Sequence, residues 1–506
     1  MRKAVVALVV FLLAFSVVAS GCISSSSTSS KTSTSTTQSS SSTASSSSQT
    51  SSTQSAKSVT LVVITRHDTT ITYMAKEAFL KSQLAKEYHI TNIRFINVPE
   101  AMWPYYVKQG ADVGWGGGPT LFNQLYMKGL LAPITDKKVL GLLNTQIPTQ
   151  LAGQPMILKK DGKVYWIASA VSSFGFTVNK QVLKKYNLPF PTTWQDVANY
   201  TWARNPPQYG IGDPTKSTSN TRIYQIILQA FGWEKGWRIM TLIAANSRVY
   251  EASDLVRDAV INGQIAAGNT IDFYGYTAMK KNPNCVYVIP KGQSIINGDP
   301  IALLKYSKHP QAAQAFIYWV LTQGQALWMS PNINRLPANP KVFNYTVTSD
   351  WAKMLGISTK YVGKTFGQAR PVLLKNYEAA TKAQGIPFNG TEALDTVNSL
   401  QEYFKATLVD ENGPLHNTWM AIVNAYKSGK ITKKQFLQLE NELTAPIEFK
   451  DPNTGKMVTF TEQYAKSINN DLSKASFLNE IMNEWRQAAL NKYNKVMSDL
   501  KKMEGS

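Results

Sequence analysis

Val-Thr-Leu-Val-Val-Ile-Thr-Arg-His-Asp-Thr-Thr, residues 59–70, follows a long Ser/Thr tract and is the first stretch beyond it with the apolar content of a folded core. The β-branched run Val59 to Thr65 reads as a buried strand. Helical spacing follows over Tyr73 to Tyr88, with Met74, Ala78, Phe79, Leu80 and Leu84 on the pattern. Ile93 to Val98 reads as a second strand. Ala111 to Gly114 is a short third, and it runs through Gly116-Gly117-Gly118-Pro119-Thr120 into another helical pattern from Leu121 to Lys128. Strands alternating with helices imply a parallel sheet covered on both faces. Ligands of such sheets sit beyond the carboxyl ends of the strands. That directs attention to the loops 65–70 and 115–120.

Further on, Val164 to Ala170 and Gly175 to Val178 read as strands flanking Ser172-Ser173-Phe174. Thr192 or Thr193 starts a helix, with Gln195 or Asp196 on its first turn. A turn-rich loop, Gly210 to Asn220, precedes an apolar helix from Tyr224 to Phe231. Ala266 to Phe273 reads as a strand that ends in Asp272-Phe273-Tyr274-Gly275-Tyr276. Beyond Pro340 the pattern changes, and residues 376–505 read as nearly all helix, punctuated by Gly429, Pro446 and Gly455.

The N-terminus carries a different message. Arg2 and Lys3 precede an apolar run from Ala4 to Val18, which is short of the roughly 18–20 residues that span a bilayer. Small residues then lead to Cys22. This is the layout of an export signal. Ile23 to Lys57 is almost all Ser and Thr, a tract that cannot bury apolar surface and is expected to act as a flexible tether.

Composition bounds the rest. Roughly 450 residues remain after signal and tether, enough for two or three domains with full cores. Cys22 and Cys285 are the only cysteines, so no disulfide framework is expected. The net charge of +21 is compatible with nucleic acid, anionic head groups, anionic solutes or plain solubility. Export argues against the first of these, and the Lys and Arg residues form no blocks. No Gly-x-Ser-x-Gly, His-Glu-x-x-His or paired Cys/His spacing occurs, and only His67, His89, His309 and His416 could serve histidine-based catalysis. The expectation is a binding protein and no enzyme, without a cofactor. An exported enzyme such as a glycosidase is the alternative of another class.

A set of short motifs carries a resemblance. They are Gly110 to Pro119, Gly129-Leu130-Leu131-Ala132-Pro133, Asn179-Lys180 with Leu188-Pro189, and Pro191-Thr192-Thr193-Trp194. They continue with Gly212-Asp213-Pro214, Asn262 to Gly268, and Gly298-Asp299-Pro300-Ile301-Ala302. In this order, residues 59–340 resemble the solute-binding proteins of ABC importers, in the ferric-iron-type branch of the periplasmic-binding-protein family. Ala19-Ser20-Gly21-Cys22 resembles the lipobox of exported lipoproteins.

The resemblance implies an α/β, two-lobed periplasmic-binding-protein fold (type II-like) with a hinge; the α-helical C-terminal extension read from the pattern lies outside the resemblance. The implied division is a signal peptide at 1–21, a lipidated Cys22 with its linker at 22–57, a first lobe at 59–168 plus 292–345, a second lobe at 169–291, and the extension at 346–506. The extension is expected to brace the first lobe or to contact a surface partner. The implied partners are ABC permease subunits, a small ligand and the membrane through the N-terminal lipid, with no nucleic acid. The protein would be a monomer on the outer face of the cytoplasmic membrane.

Physical logic points to the same cleft loops. Gly116, Gly117 and Gly118 expose backbone N–H groups ahead of a helix, an expected anion cradle to which Thr120 adds a hydroxyl. Ser217, Thr218, Ser219 and Asn220 form a second such cradle. Ser172 and Ser173 follow a strand at the expected hinge, and Arg66, His67 and Thr69 follow the first strand. Asp272, Tyr274 and Tyr276 are expected at a strand end, where residues two apart share a face. These hydroxyl-rich loops suit a phosphorylated or otherwise oxyanionic solute. Ferric iron is the alternative, with Tyr274, Tyr276 and His67 as its ligands.

Overall fold

The structure, a computed structural model, describes residues 58–382 and 385–505. The signal, Cys22 and the Ser/Thr tract lie outside the described residues. Among the described residues, no helix is long and apolar enough to cross a membrane.

The first strand, β1 (Val59–Thr65), buries Leu61, Val63 and Ile64 and lies between β2 (Ile90–Asn97) and β3 (Val113–Trp115), parallel to both. Helix α1 (Thr69–Leu80) begins directly after β1, because the Asp68 carboxylate accepts the Ile71 N–H and closes its first turn. Helix α2 (Gly118–Met127) follows β3 after a glycine turn, with Gly117 at its N-cap. This is the β-α-β layering that the sequence pattern predicts.

After β4 (Ile157–Lys160) comes β5 (Lys163–Asn179), a 17-residue strand that belongs to both halves of the molecule. The two strands expected on either side of Ser172-Ser173-Phe174 are thus one. Every residue from Trp166 to Asn179 is buried, so neither face tolerates a break.

The second half contributes β6 (Tyr209–Gly212), α3 (Thr218–Phe231), α4 (Trp233–Ala245), β7 (Ser247–Tyr250), α5 (Ser253–Ile261), β8 (Ala267–Ile271), α6 (Asp272–Lys281) and β9 (Cys285–Val288). Strand β10 (Ile296–Leu303) returns the chain to the first half. Up to Ser173, β5 pairs antiparallel with β10; from Phe174 onward it pairs with β8. The whole sheet runs β2-β1-β3-β10-β5-β8-β6-β7, with β4, β9 and the short β11 (Leu336–Pro337) also on β5. Strand β8 stops at Ile271, and residues 272–281 are helical, which corrects the expected strand through Phe273.

The two largest of four buried clusters among the described residues flank this sheet. One gathers Val63, Trp115, Ile167, Phe316, Trp319 and Trp328, and it extends to Leu373 and Tyr377 of α7 (Pro371–Thr381). The other starts from Phe176, Tyr209, Ile223 and Trp237 and runs without interruption into Phe404, Trp419, Trp485 and Tyr493. The C-terminal region therefore divides. Residues up to 381 cover the first half, whereas the region from Ile386 shares its core with the second half.

The contacts of that second core are aromatic. Tyr224 stacks on Phe404 at 4.1 Å, Tyr403 stacks on Phe460 at 3.6 Å, and the Trp419 indole donates to Asn246 Oδ1 at 2.9 Å. Only the shorter piece shares the core of the first half. Burial of each such ring contributes roughly 1.5–3 kcal/mol, so the fused core is a large share of this half's stability. The region is mainly helical, as predicted, but it includes a small hairpin of β12 (Glu448–Lys450) and β13 (Met457–Thr459).

Candidate functional site

A cleft of about 280 Å³ lies where the two halves face each other, and both contribute its walls. The first half presents Arg66, His67, Gly117, Gly118, Thr120, Asp299 and Arg335. The second presents Ser217, Thr218, Ser219, Arg222, Phe273 and Tyr274.

On the first-half wall, the expected anion cradle already holds an anion of the chain itself. Gly116, Gly117 and Gly118 all have positive φ, a conformation that suits glycine. Their turn sends the Gly117 and Gly118 N–H groups to Asp299 Oδ1 at 3.0 and 2.8 Å. Asp299 reaches them from a bulge in β10, next to Pro300, which has no N–H to give to the ladder. Arg335 pairs with Asp299 Oδ2 and also donates to Ser172 Oγ at 3.3 Å and His67 Nδ1 at 3.1 Å.

Burial alone would raise the Asp299 carboxyl, but Arg335 and the Gly118 N–H outweigh it and hold it below the ordinary range. Burial, reinforced by Arg335, lowers the His67 imidazole to about 3. The ring is neutral, and since Nδ1 accepts from Arg335 its proton sits on Nε2. Gly116 makes room for that ring, as a Cβ there would come within 2.4 Å of it. Gly116 to Gly118 thus do not offer a free cradle, and His67 fixes Arg335.

The second-half wall differs. Ser217 caps α3 by accepting the Asn220 N–H. The Asn220 amide turns inward, accepting from Gly212 N at 3.0 Å and donating to Ser217 Oγ and Ser253 Oγ at 3.0 Å each. It fastens the loop and does not line the cleft. Thr218 and Ser219 stand at the open end of a 14-residue helix, where the backbone N–H groups favour an anion.

One turn further, Arg222 is 6% exposed and lines the cleft. Among the described residues its guanidinium has no hydrogen-bond or ion-pair partner, and its one ring contact is with Phe388 at 4.6 Å. Burial lowers it to about 9, with Glu100 opposing. Burial likewise pushes the Glu100 carboxyl up to about 7 against the pull of Arg66 and Arg222. Arg66 spans the cleft, donating to Val98 O at 3.2 Å and Lys216 O at 3.0 Å. Thr120 Oγ1 also crosses it, to Gln225 Oε1 at 3.4 Å.

Some predicted residues lie elsewhere. Thr69 is exposed on the first turn of α1 and takes no part in the wall. Ser173 is buried, its N and Oγ donating to Asp272 Oδ2 at 2.8 and 3.1 Å. Asp272 is itself buried, and burial raises its carboxyl to about 7.

Tyr274 lines the cleft, with the Arg257 guanidinium 4.7 Å from its ring centre, while Tyr276 packs behind the wall on Tyr287 at 5.5 Å. On a helix, residues two apart point about 200° from each other. The expected Tyr274, Tyr276 and His67 iron set therefore does not converge, which corrects that alternative's ligand list. Among the described residues, no three or more His, Cys, Asp or Glu are grouped to hold a metal ion.

The sequence reading missed Asp299, Arg335, Arg222 and Glu100. Asp299 stood inside a quoted motif, but nothing local links it to a loop 182 positions earlier. Arg222 lies on an apolar helix and gives no sign of facing a cavity.

Comparison with known proteins places this architecture. The family described as bacterial extracellular solute-binding protein matches residues 36–350. The phosphoglycerate transport regulatory protein PgtC of Salmonella typhimurium is 30% identical over 178 residues, 34% of this chain and 43% of that protein. The Salmonella typhi protein of the same name matches identically, so the chain aligns with less than half the length of these curated relatives.

Among solved structures, the periplasmic binding protein AfuA of Actinobacillus pleuropneumoniae, with fructose-6-phosphate bound, has a TM-score of 0.49 at 17% identity, covering 64% of this chain and 98% of that one. Iron-bound HitA of Pseudomonas aeruginosa has a TM-score of 0.46 at 18% identity, covering 63% and 99%. With the family match extending over most of the chain, from the first strand through the return of β10, this protein belongs to the bacterial extracellular solute-binding proteins.

Proposed function

We propose that the chain captures a small phosphorylated or otherwise oxyanionic solute in the cleft and delivers it to the permease subunits of an ABC importer, with no catalytic step. The observation that carries this reading is Arg222. A buried cation without a partner is costly, and here it stands beside the open N-terminus of α3 with its Ser217, Thr218 and Ser219 hydroxyls. An anion at this point satisfies the guanidinium and the helix terminus together. Arg66 and Thr120 reach the same space from the opposite wall. The words phosphoglycerate transport in the names of the Salmonella relatives agree with such a ligand.

Ligand contact with both walls favours the closed arrangement over an open one, in proportion to the difference in affinity. In this reading the first lobe is 59–168 plus 292–345, the second is 169–291, and the hinge lies at Ser172–Phe174 of β5. The chain is a monomer held at the membrane through Cys22.

Isothermal titration of the purified protein with 3-phosphoglycerate, inorganic phosphate, glycerate and Fe(III) tests the reading. Binding of a phosphorylated compound, lost in Arg222→Met at unchanged fold, is the expected result. Binding of Fe(III) alone, with a phenolate-to-iron absorption band, would overturn it.

A further inference from the structure

The face of α3 that bears Arg222 also bears Gln225 and Gln229, at the i, i+3, i+7 spacing of one helical stripe. All three meet the C-terminal region. Gln229 Nε2 donates to Asn389 O at 2.9 Å, and the Asn389 N–H returns to Gln229 Oε1 at 2.7 Å. Gln225 Nε2 donates to Ala393 O at 3.0 Å, while its Oε1 accepts from Thr120 of the opposite wall. The side chain of Asn389 caps a short helix, α8 (Gly390–Asp395), by accepting the Thr391 and Glu392 N–H groups, and α8 rests against α2. Just before the first of these anchors, Phe388 stacks on the Arg222 guanidinium. Residues 386–395 thus touch both walls and the Arg222 guanidinium, which among the described residues has no hydrogen-bond or ion-pair partner.

We propose that this segment completes the ligand site: Phe388 is a positioning residue that holds Arg222 toward the cleft, and α8 with Gln225 joins the two walls over it. The proposal rests on the reading of the cleft as an oxyanion site. It also gives the C-terminal region a task in binding, beyond filling the second core. The ring supplies what a hydrogen-bonding partner cannot: it orients the guanidinium by its face and leaves all five N–H donors for the ligand.

The test compares the full chain with Phe388→Ala, Phe388→Trp and Phe388→Leu, titrated with 3-phosphoglycerate and inorganic phosphate, alongside their thermal unfolding without ligand. The expected result is an affinity about tenfold weaker in Phe388→Ala and Phe388→Leu, restored in Phe388→Trp, at similar melting temperatures. Equal affinity in Phe388→Leu and the parent would show that only apolar packing matters and would overturn the proposal. If neither compound binds the parent protein, the oxyanion reading fails by itself. Crystal structures of the ligand-free parent and Phe388→Ala then decide the positioning role. A guanidinium that swings away supports it, and one that stays in place refutes it.

Discussion

Two arginines in one cleft have opposite employment. Arg335 is fully engaged, with Asp299, Ser172 and His67 around it, and the carboxylate it holds also closes the Gly117–Gly118 turn. Asp299→Ala leaves a buried cation and two N–H groups without their acceptor. We expect a loss of about 3–5 kcal/mol, measured by urea denaturation. Because its folded pKa is depressed, the stability Asp299 supplies is present above the ordinary carboxylate range and is lost as pH falls through the folded value.

Arg222 is the unengaged one, and Glu100 faces it from the other wall. With its carboxyl raised to about 7, Glu100 is largely protonated in mild acid and adds a repelling negative charge above neutrality. Affinity for a phosphorylated solute should therefore fall as pH rises from about 6 to about 8, and Glu100→Gln should flatten that profile. An unchanged slope in calorimetric titrations would remove Glu100 from the site.

At the scale of elements, β5 organises everything else. It exchanges β10 for β8 between Ser173 and Phe174, so the two walls of the cleft hang from one continuous backbone. Gly175 lies just past that exchange, and a Cβ there would fall 2.0 Å from Val288 O of β9. Gly175→Ala should cost about 1–3 kcal/mol by overpacking, read from the shift in denaturation midpoint.

The periodicity of most elements was visible in advance, since alternation and helical spacing are local. Thr193 and Asp196 form the capping box that the sequence offered among alternatives. The strand assigned through Phe273 was misread for a physical reason. Ile271, Phe273 and Tyr274 have strand-forming side chains, but α6 starts at Asp272, and all three line the cleft. Tyr274 was legible as a site residue and Tyr276 was not excluded, because their relative direction depends entirely on helix or strand.

For the whole molecule, the fusion of the C-terminal region with the second half has the largest consequence. Tyr224, Trp237 and Ile226 belong to the same buried cluster as Phe404, Trp419, Trp485 and Tyr493. Deleting residues 386–506 should leave the second half unable to fold, seen as loss of soluble product or of a cooperative thermal transition. A truncated chain that unfolds cooperatively at the parent temperature would contradict this.

Residue type and short spacing were enough to show the alternation of strands and helices, the helical character of the C-terminal region and the loops from which a cleft is built. Which charges are already paired emerged only from contacts made in three dimensions. Arg335 meets His67 across 268 positions, and Arg222 packs on a phenylalanine in a segment that local pattern could not connect to it. Partners chosen over such separations depend on how the sheet twists and which faces it brings together, and no local rule of sequence records that.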